Sequence, residues 1–300
     1  MEKKFTFFVD PIVGTVWEPE GKTKAVVILC HGITDYHSRY EDFAKYLTDR
    51  GVAVIGFDYP GHGKSGGSPR VYFGKNGAHR LTRILRRAIH EAESRFRDTP
   101  VYLLGMSLGS YLVRSYLIQY EDDRIAGAIL VGTGHMTPIE LFIAKAITKI
   151  EEIIHGDKAA PKLIQTLAFE VYNREFEPVR TSMDWLIVDP EELDRFVNSP
   201  YRGQEVTVGA FRDLLDLASV ACDEDDIKVG TKVPIFICSG ACDAVGGFGD
   251  KADDVYTKFV EAGYKVNFKL YEDSRHDVLH DCDREEAYAD IASWIAAREV

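Results

Sequence analysis

Short apolar runs along this chain alternate with longer stretches in which apolar residues recur every three or four positions. The short runs predict buried strands, and the longer recurrence predicts helices that pack against them. Strands are expected over residues 5–9, 15–17, 24–30, 52–58, 99–104, 125–131, 233–238 and 265–271, and helices over residues 39–50, 77–97, 108–120, 250–262 and 284–298. This alternation is typical of a mostly parallel sheet with helices on both faces.

One long segment interrupts the alternation. Between residues 135 and 221 the pattern is helical throughout, with helices expected over residues 138–154, 162–171, 191–198 and 207–221. We therefore expect one structural unit, in which residues 1–134 and 222–300 form an α/β core. Residues 135–221 would form a helical cap over the carboxyl end of the sheet. A second packing domain with no catalytic part is the alternative interpretation.

The motif Gly-Met-Ser-Leu-Gly at residues 105–109 connects a predicted strand to a predicted helix. A strand, a sharp turn and a helix with a serine at the apex form the layout of a nucleophile elbow. The glycines suit a strained turn in which side chains would collide with the strand and the helix. The alternative interpretation of this five-residue pattern is a serine that only caps a helix. The residues that follow the other predicted strands are needed to choose between the two interpretations.

Polar side chains follow two later strands of the predicted sheet. Asp243 comes soon after strand 233–238, and His276 comes soon after strand 265–271. Ligands of open parallel sheets bind beyond the carboxyl ends of the strands, and serine, acid, histidine is the chain order of α/β-hydrolases. The sequence therefore predicts Ser107 as the nucleophile, His276 as its general base and Asp243 as the acid that orients the imidazole.

Other acids and bases near His276 compete for these roles. Asp273 and Asp277 flank the histidine, but they are too close in sequence to orient it easily from across the site. His280 is the alternative base, and it lies a helical turn beyond the strand end.

Five further residues are predicted to complete the site. The backbone N–H groups of Ile33 and Leu108 are the expected oxyanion-hole donors, the latter because it opens a helix. His31, Gly32 and Met106 are expected to contact substrate, with His31 in a structural or gating role rather than a catalytic one.

Three other motifs suggest nucleotide or metal binding, but the residues around them do not support it. Residues 61–66 read G-x-G-x-x-G after a strand, but no helix opens there, which disfavours nucleotide binding. Residues 276–280 resemble a zinc-binding helix with aspartate for glutamate, and no third ligand is evident. Cys238 and Cys242 have no second cysteine pair nearby. We therefore expect no cofactor and no metal.

The composition limits the classes of partner that we expect this protein to bind. The chain is 45% hydrophobic and 28% charged with a formal charge of −12, which argues against nucleic acid and against attraction to anionic membranes. Neither a signal peptide, a stable membrane anchor nor a disulfide framework is expected, and a cytoplasmic location is predicted. The expected partner is a small-molecule ester, and the oligomeric state is left open.

These residues resemble α/β-hydrolases of the monoacylglycerol lipase and lysophospholipase branch, often labelled serine-aminopeptidase-like. The landmarks span nearly the whole chain and comprise His31-Gly32 and residues 58–65, 105–109, 239–246 and 274–276. The resemblance implies an α/β-hydrolase fold: a mostly parallel eight-stranded sheet with a helical cap inserted after strand 6. It also implies hydrolysis through an acyl-enzyme without a cofactor. Met106, Leu108 and Ala244 depart from the branch's usual residues.

We accordingly expect a hydrolase of monoacylglycerol, lysophospholipid or other lipid-like carboxylic esters. An aminopeptidase of the proline-iminopeptidase type would need an acidic pair for the substrate ammonium, for which Glu140, Glu170 and Asp184 are candidates. A non-catalytic binding protein of the same fold is disfavoured because the whole triad is present.

The first cap helix offers the one hint of substrate. It is amphipathic, with Leu141, Phe142, Ala146 and Ile150 near one stripe. Ordinary packing of cap on core is the favoured interpretation of this stripe, and an apolar wall for an acyl chain is the other.

Overall fold

The computed structural model describes residues 2–7, 11–67 and 69–298. Eight strands in these ranges form a single sheet: β1 (Glu2–Phe7), β2 (Ile12–Trp17), β3 (Ala25–Cys30), β4 (Val52–Phe57), β5 (Val101–Met106), β6 (Ile125–Val131), β7 (Ile235–Gly240) and β8 (Val266–Tyr271). The strand order is β1-β2-β4-β3-β5-β6-β7-β8. Strands β1 and β2 run antiparallel to their neighbours, and the remaining pairs are parallel. The predicted mostly parallel eight-stranded sheet is confirmed.

Eleven α-helices occur in the described part of the chain: α1 (Glu41–Thr48), α2 (Gly77–Arg95), α3 (Leu108–Gln119), α4 (Pro138–His155), α5 (Lys162–Gln165), α6 (Val171–Asn173), α7 (Pro190–Val197), α8 (Val208–Ala221), α9 (Glu224–Val229), α10 (Asp250–Glu261) and α11 (Arg284–Ala296). Helices α4 to α9 lie between β6 and β7, which confirms the helical insertion after the sixth strand. The division into a core (1–134 and 222–300) and a cap (135–221) stays a prediction. No described helix has the length and hydropathy that a bilayer-spanning segment requires.

The centre of the sheet is buried throughout. Every residue of β3, β4, β5 and β7 is buried, as expected for strands that helices cover on both faces. The last strand, β8, lies at the edge and is partly exposed. The apolar runs of the sequence therefore locate the central strands, and with them the edge of the sheet where the carboxyl ends of these strands lie.

Near the N-terminus, element boundaries differ from the prediction. The hairpin expected over residues 5–9 and 15–17 consists of β1 and β2, which both begin earlier, and residues 8–10 lie outside the described residues. The helix expected over 39–50 is shorter because a 3₁₀ turn, His37–Tyr40, precedes it.

The helical insertion departs from the prediction in finer detail. The helix expected over 162–171 is divided into α5, a π turn at Thr166–Glu170, and α6. Helix α9 was not predicted. It begins where the Asp223 side chain accepts the N–H groups of Asp225 and Asp226, a local cap that a short polar stretch conceals.

Helix α4 points a different apolar stripe inward from the one that the sequence suggested. Phe142, Ala146 and Ile150 are exposed, Phe142 to 74%, whereas Leu141 is half-buried and packs against the core, so only one member of that stripe packs as expected. Ile143, which is 52% exposed, and Ala144 line a cavity instead. Apolar residues occupy both sides of α4, and periodicity alone cannot tell which side is covered.

Candidate active site

Ser107 lies at a strained turn between β5 and α3. Its backbone has φ 52° and ψ −115°, a conformation that L-residues rarely adopt. A Cβ at Gly105 would lie 2.2 Å from the carbonyl oxygen of Gly109, and a Cβ at Gly109 would lie 2.0 Å from that of Cys30. Both glycines are therefore needed for α3 to approach the sheet this closely, and the turn presents Ser107 at its apex.

Asp243 and His276 form a buried pair beyond β7 and β8. The Nδ1 atom of His276 lies 2.9 Å from Oδ2 of Asp243, and the two side chains are 1% and 0% exposed. The N–H of Val245 donates to the other carboxylate oxygen at 2.8 Å. Because Nδ1 faces a carboxylate, it carries the imidazole proton and leaves the lone pair on Nε2.

The Nε2 atom of His276 is buried and has no hydrogen-bond partner among the described residues. Ser107 and His276 line the same two cavities. Catalytic hydrogen bonds are often long in ligand-free enzymes and tighten when substrate binds. The structure thus brings the predicted serine, acid and base to one place, while their catalytic roles stay proposals.

The predicted oxyanion donors lie close to Ser107. A Cβ built on Gly32 would lie 3.7 Å from Cβ of Ser107, so the Gly32–Ile33 turn adjoins the serine. Ile33 and Leu108 line the large cavity beside Ser107. Leu108 opens α3, where backbone N–H groups have no acceptor inside the helix. This arrangement suits an oxyanion hole, which remains a prediction.

His31 lies beneath this turn and lines neither cavity. Its Nδ1 atom is 2.8 Å from the carbonyl oxygen of Gly32, and its Nε2 atom accepts the N–H of Tyr59 at 3.3 Å. The Gly32 carbonyl and the Ile33 N–H belong to one peptide unit, so the imidazole fixes the direction of that N–H. Burial lowers the pKa of His31 to about 3 and keeps the ring neutral.

The loop that mimics a nucleotide fingerprint supports the same turn. Nε2 of His62 makes a short contact to the carbonyl oxygen of Ile33, and Nδ1 lies 3.0 Å from that of Pro60. Burial lowers the pKa of His62 as well. Two buried histidines therefore contact consecutive peptide carbonyls of the Gly32–Ile33 turn.

A cavity of about 370 Å³ opens beside Ser107. Its wall is mostly apolar and comes largely from α4, the π turn and α8, with Ile147 and Phe211 among its members. Ile143 and Val171 also line it and are 52% and 44% exposed, which places its mouth between α4 and α6. Its volume and lining suit an apolar ligand of moderate size.

A second cavity, of about 20 Å³, also reaches Ser107 and His276. Its lining includes three charged groups, Asp35, Arg39 and Asp277. Nη1 of Arg39 lies 2.5 Å from Oδ2 of Asp277 and 3.4 Å from Oδ2 of Asp35. Arg39 thereby connects the oxyanion turn to the loop that carries His276.

The alternative base, His280, belongs to this ion network. Its Nδ1 atom lies 3.0 Å from both carboxylate oxygens of Asp277, and Nε2 lies 3.2 Å from the Arg39 carbonyl oxygen. Burial would raise the pKa of Asp277, but Arg39 and His280 lower it below its usual range. His280 lines neither cavity at Ser107, so the structure disfavours it as the base.

Gly32 and Met106, predicted to contact substrate, both line the small cavity. Their roles stay predictions. Sequence reasoning missed Asp35 and Arg39, although an acid and an arginine four positions apart, directly after the oxyanion turn, were a usable signal. It also assigned no function to Trp185, whose ring centroid lies 5.3 Å from that of His276.

These features define an α/β hydrolase with a serine, an aspartate and a histidine gathered at the carboxyl edge of the sheet. Residues 21–283 match the family model Hydrolase_4, described as serine aminopeptidase, S33. The chain belongs to this family, and its relatives place it in the monoacylglycerol lipase-like branch, as the resemblance implied.

The relatives and solved structures have low sequence identity to this chain but match more than half of its length or nearly all of it. A monoglyceride lipase homolog of monkeypox virus is 27% identical over 177 residues, which cover 57% of this chain and 62% of that protein. The monoacylglycerol lipase of Mycolicibacterium smegmatis is 23% identical over 95% of this chain and 93% of its own length. A thermostable carboxyl esterase from Bacillus coagulans superposes with a TM-score of 0.91 at 22% identity, covering 100% of this chain and 99% of that one. At that identity the structural likeness establishes the fold.

Proposed function

We propose that this protein is a serine hydrolase that cleaves lipid-like carboxylic esters through an acyl-enzyme. One observation carries the proposal: the Ser107 turn and the buried Asp243–His276 pair meet at a mostly apolar cavity of about 370 Å³. Membership of the family and the relatives described as monoacylglycerol lipases support a lipid-ester hydrolase.

Acylation follows from the positions of the groups. The acyl chain occupies the apolar cavity and presents its carbonyl carbon to Ser107 Oγ, while Nε2 of His276 takes the serine proton. Asp243 stabilises the resulting imidazolium. The N–H groups of Ile33 and Leu108 bind the carbonyl oxygen as it gains charge. His276 then returns the proton to the departing alcohol, which leaves an ester on Ser107.

The cavity also supports a preference within this class. Its volume is near the lower end of the range for small-molecule pockets, which suits one acyl chain rather than two. We therefore favour monoacyl substrates of the monoacylglycerol or lysophospholipid type. A cytoplasmic location and the lack of a stable membrane anchor stay predictions.

The peptidase alternative lacks its expected recognition group. Of the three acids considered, Glu140 lines the large cavity, whereas Glu170 accepts the Thr166 hydroxyl and Asp184 accepts backbone N–H groups nearby. Glu140 is itself engaged by the Thr137 N–H. Among the described residues, Glu140 is the one acid that lines the large cavity, and the two acids of the small cavity, Asp35 and Asp277, are both engaged by Arg39, which favours esters over peptides.

Activity-based labelling and a substrate series test the proposal. A fluorophosphonate should label the wild-type protein once, and Ser107→Ala should remain unlabelled. Hydrolysis of p-nitrophenyl esters from C2 to C16 should peak at a medium or long chain. An unlabelled wild type, or faster turnover of amino-acid p-nitroanilides than of every ester, would refute the proposal.

A further inference from the structure

Three side chains that line the small cavity each have a buried polar atom without a hydrogen-bond partner among the described residues. The atoms are Nη2 of Arg39, Nε1 of Trp185 and Nε2 of His276. The Arg39 and His276 side chains are 8% and 1% exposed. Buried polar atoms of this kind are normally paired, so three of them around one cavity indicate that something small and polar belongs there.

The remaining contacts hold Arg39 in one orientation. Nη1 binds Asp277, and the guanidinium carbon lies 4.5 Å from the ring centroid of Phe196 in α7. The plane of the guanidinium is therefore fixed while Nη2 keeps a free donor. Asp35 accepts the Tyr40 hydroxyl at 2.7 Å and also lines the cavity, so it offers an acceptor close by.

A volume of about 20 Å³ holds a single water molecule. A buried water also needs two to four polar partners, and this cavity offers a donor, an acceptor and a base. The acyl chain of a substrate would occupy the large cavity, which leaves the small one accessible to water. Both cavities reach Ser107, so a molecule in either of them can meet the acyl carbon.

We propose that the small cavity is the site of the water that hydrolyses the acyl-enzyme, and that Arg39 positions this water for His276. The proposal rests on the proposed function, because only an ester on Ser107 requires such a water. Arg39 would then act in the second half of the reaction and not in the first.

Hydrolysis of the acyl-enzyme needs no reactant other than this water. The water oxygen, held by the Nη2 donor of Arg39, bonds to the acyl carbon while its proton passes to Nε2 of His276. The carbonyl electron pair moves to the oxygen bound by the N–H groups of Ile33 and Leu108. On collapse, the bond to Ser107 Oγ breaks, the serine recovers the proton from His276, and the carboxylic acid departs.

The charges around the cavity favour this transfer. Arg39 lies between two carboxylates, Asp35 and Asp277, so the group as a whole carries no excess positive charge. A proton arriving on His276 therefore meets no net repulsion from it. Without the carboxylates, a lone buried guanidinium would oppose the imidazolium.

Pre-steady-state kinetics of Arg39→Met test the proposal. A methionine fills similar space but donates no hydrogen bond. With a p-nitrophenyl ester, the burst that reports acylation should change less than threefold, while deacylation should slow roughly 10- to 100-fold because the water is misplaced. Intact-mass spectrometry should then show acyl-enzyme accumulating. Arg202→Met is the matched control, because Arg202 stacks on the same Phe196 ring at 5.5 Å and does not line the cavity.

A structural role for Arg39 gives a different result. His276 and the oxyanion turn serve both half-reactions, so loosening them would slow acylation and deacylation together, and equal losses would overturn the proposal. If Arg39→Met does not fold, a partitioning measurement on the wild-type enzyme still tests the proposal. A one-water cavity predicts that the fraction of methyl ester formed in dilute methanol stays below the molar fraction of methanol, and a larger fraction contradicts it. Failure of the proposed function is distinct, because the wild type would then show neither a burst nor a fluorophosphonate label.

Discussion

The two cavities that meet at Ser107 are built in opposite ways. The large one is mostly apolar, is lined by helices inserted between β6 and β7, and opens between partly exposed side chains. The small one lies mainly among loops that follow β3, β5 and β8, with Trp185, Leu186 and Phe196 of the inserted segment also on its wall, and is lined by a buried arginine paired with two carboxylates. Under the proposed function, the packing of the inserted helices would select the substrate, and the electrostatics of the strand ends would serve the chemical steps.

The difference predicts unequal tolerance to change. Apolar contacts add up in small increments, at about 25 cal/mol per Å² of area, so the large cavity should respond gradually to substitution. Removing one partner of a buried ion pair typically costs about 3–5 kcal/mol because it leaves the other charge unpaired. Substitutions that unpair a charge around the small cavity should therefore lower the free energy of unfolding abruptly, and any loss of rate should be similar for every substrate.

The largest effect is expected from Asp243→Asn. The amide would favour the wrong imidazole tautomer of His276, and kcat should fall by about 10⁴-fold. Because the large cavity is untouched, the profile of relative rates against acyl-chain length should keep its shape. Stopped assays across an ester series measure both quantities. A loss below tenfold, or a loss confined to one chain length, would separate Asp243 from the chemistry.

His31→Asn should have the next largest effect. It weakens the contact that aims the Ile33 N–H, and loss of an oxyanion donor costs roughly 10²–10³ in rate. We expect kcat to fall about 10- to 100-fold with KM little changed, since His31 does not line the substrate cavity. A change in KM alone would mean that His31 contacts substrate after all.

A bulky residue in the large cavity should change selectivity rather than chemistry. Ala144→Trp would fill space next to Ile143 and Ile147, and kcat/KM for long-chain esters should fall by roughly tenfold or more while short esters change less than twofold. Ala146→Trp, on the exposed side of the same helix, is the matched control and should leave the series unchanged. Equal effects of the two substitutions would contradict this assignment of the inner face.

A separate effect, on stability rather than on rate, is expected in the dependence of the free energy of unfolding on pH. The pKa of His31 is lowered to about 3 in the folded protein, against about 6.5 when unfolded. Between these values the unfolded chain binds the extra proton, so stability falls as the pH drops below 6.5. His31→Asn should reduce this slope by up to about 1.4 kcal/mol per pH unit in urea titrations from pH 6.5 to 4.5.

Asp213 also affects the pH dependence of stability, but it does not disturb this comparison of the variant with the wild type. Burial raises the pKa of Asp213 to about 6, so its contribution to stability runs the opposite way as the pH falls. It is present in both proteins and cancels in their difference. An unchanged slope in the variant would show that His31 is not held neutral by the fold.

The sequence was a good guide wherever the chemistry lies at the end of a strand. Apolar runs located the strands. Ser107 and Asp243 follow the central strands β5 and β7, and His276 follows the neighbouring edge strand β8, so topology alone brings them together. The Arg39–Asp277 pair was out of reach because 238 positions separate its members. The inner face of α4 was also out of reach, since that helix has apolar residues on both sides.

The assignment of the acyl chain to the large cavity, with Ser107 as the nucleophile, is tested most directly by a crystal structure of the enzyme inactivated with a long-chain alkylphosphonate. We expect phosphorus bonded to Ser107 Oγ, its free oxygen directed at the N–H groups of Ile33 and Leu108, and the alkyl chain beside Ile147 and Phe211. Phosphorus on another residue, or an alkyl chain outside the large cavity, would contradict this arrangement.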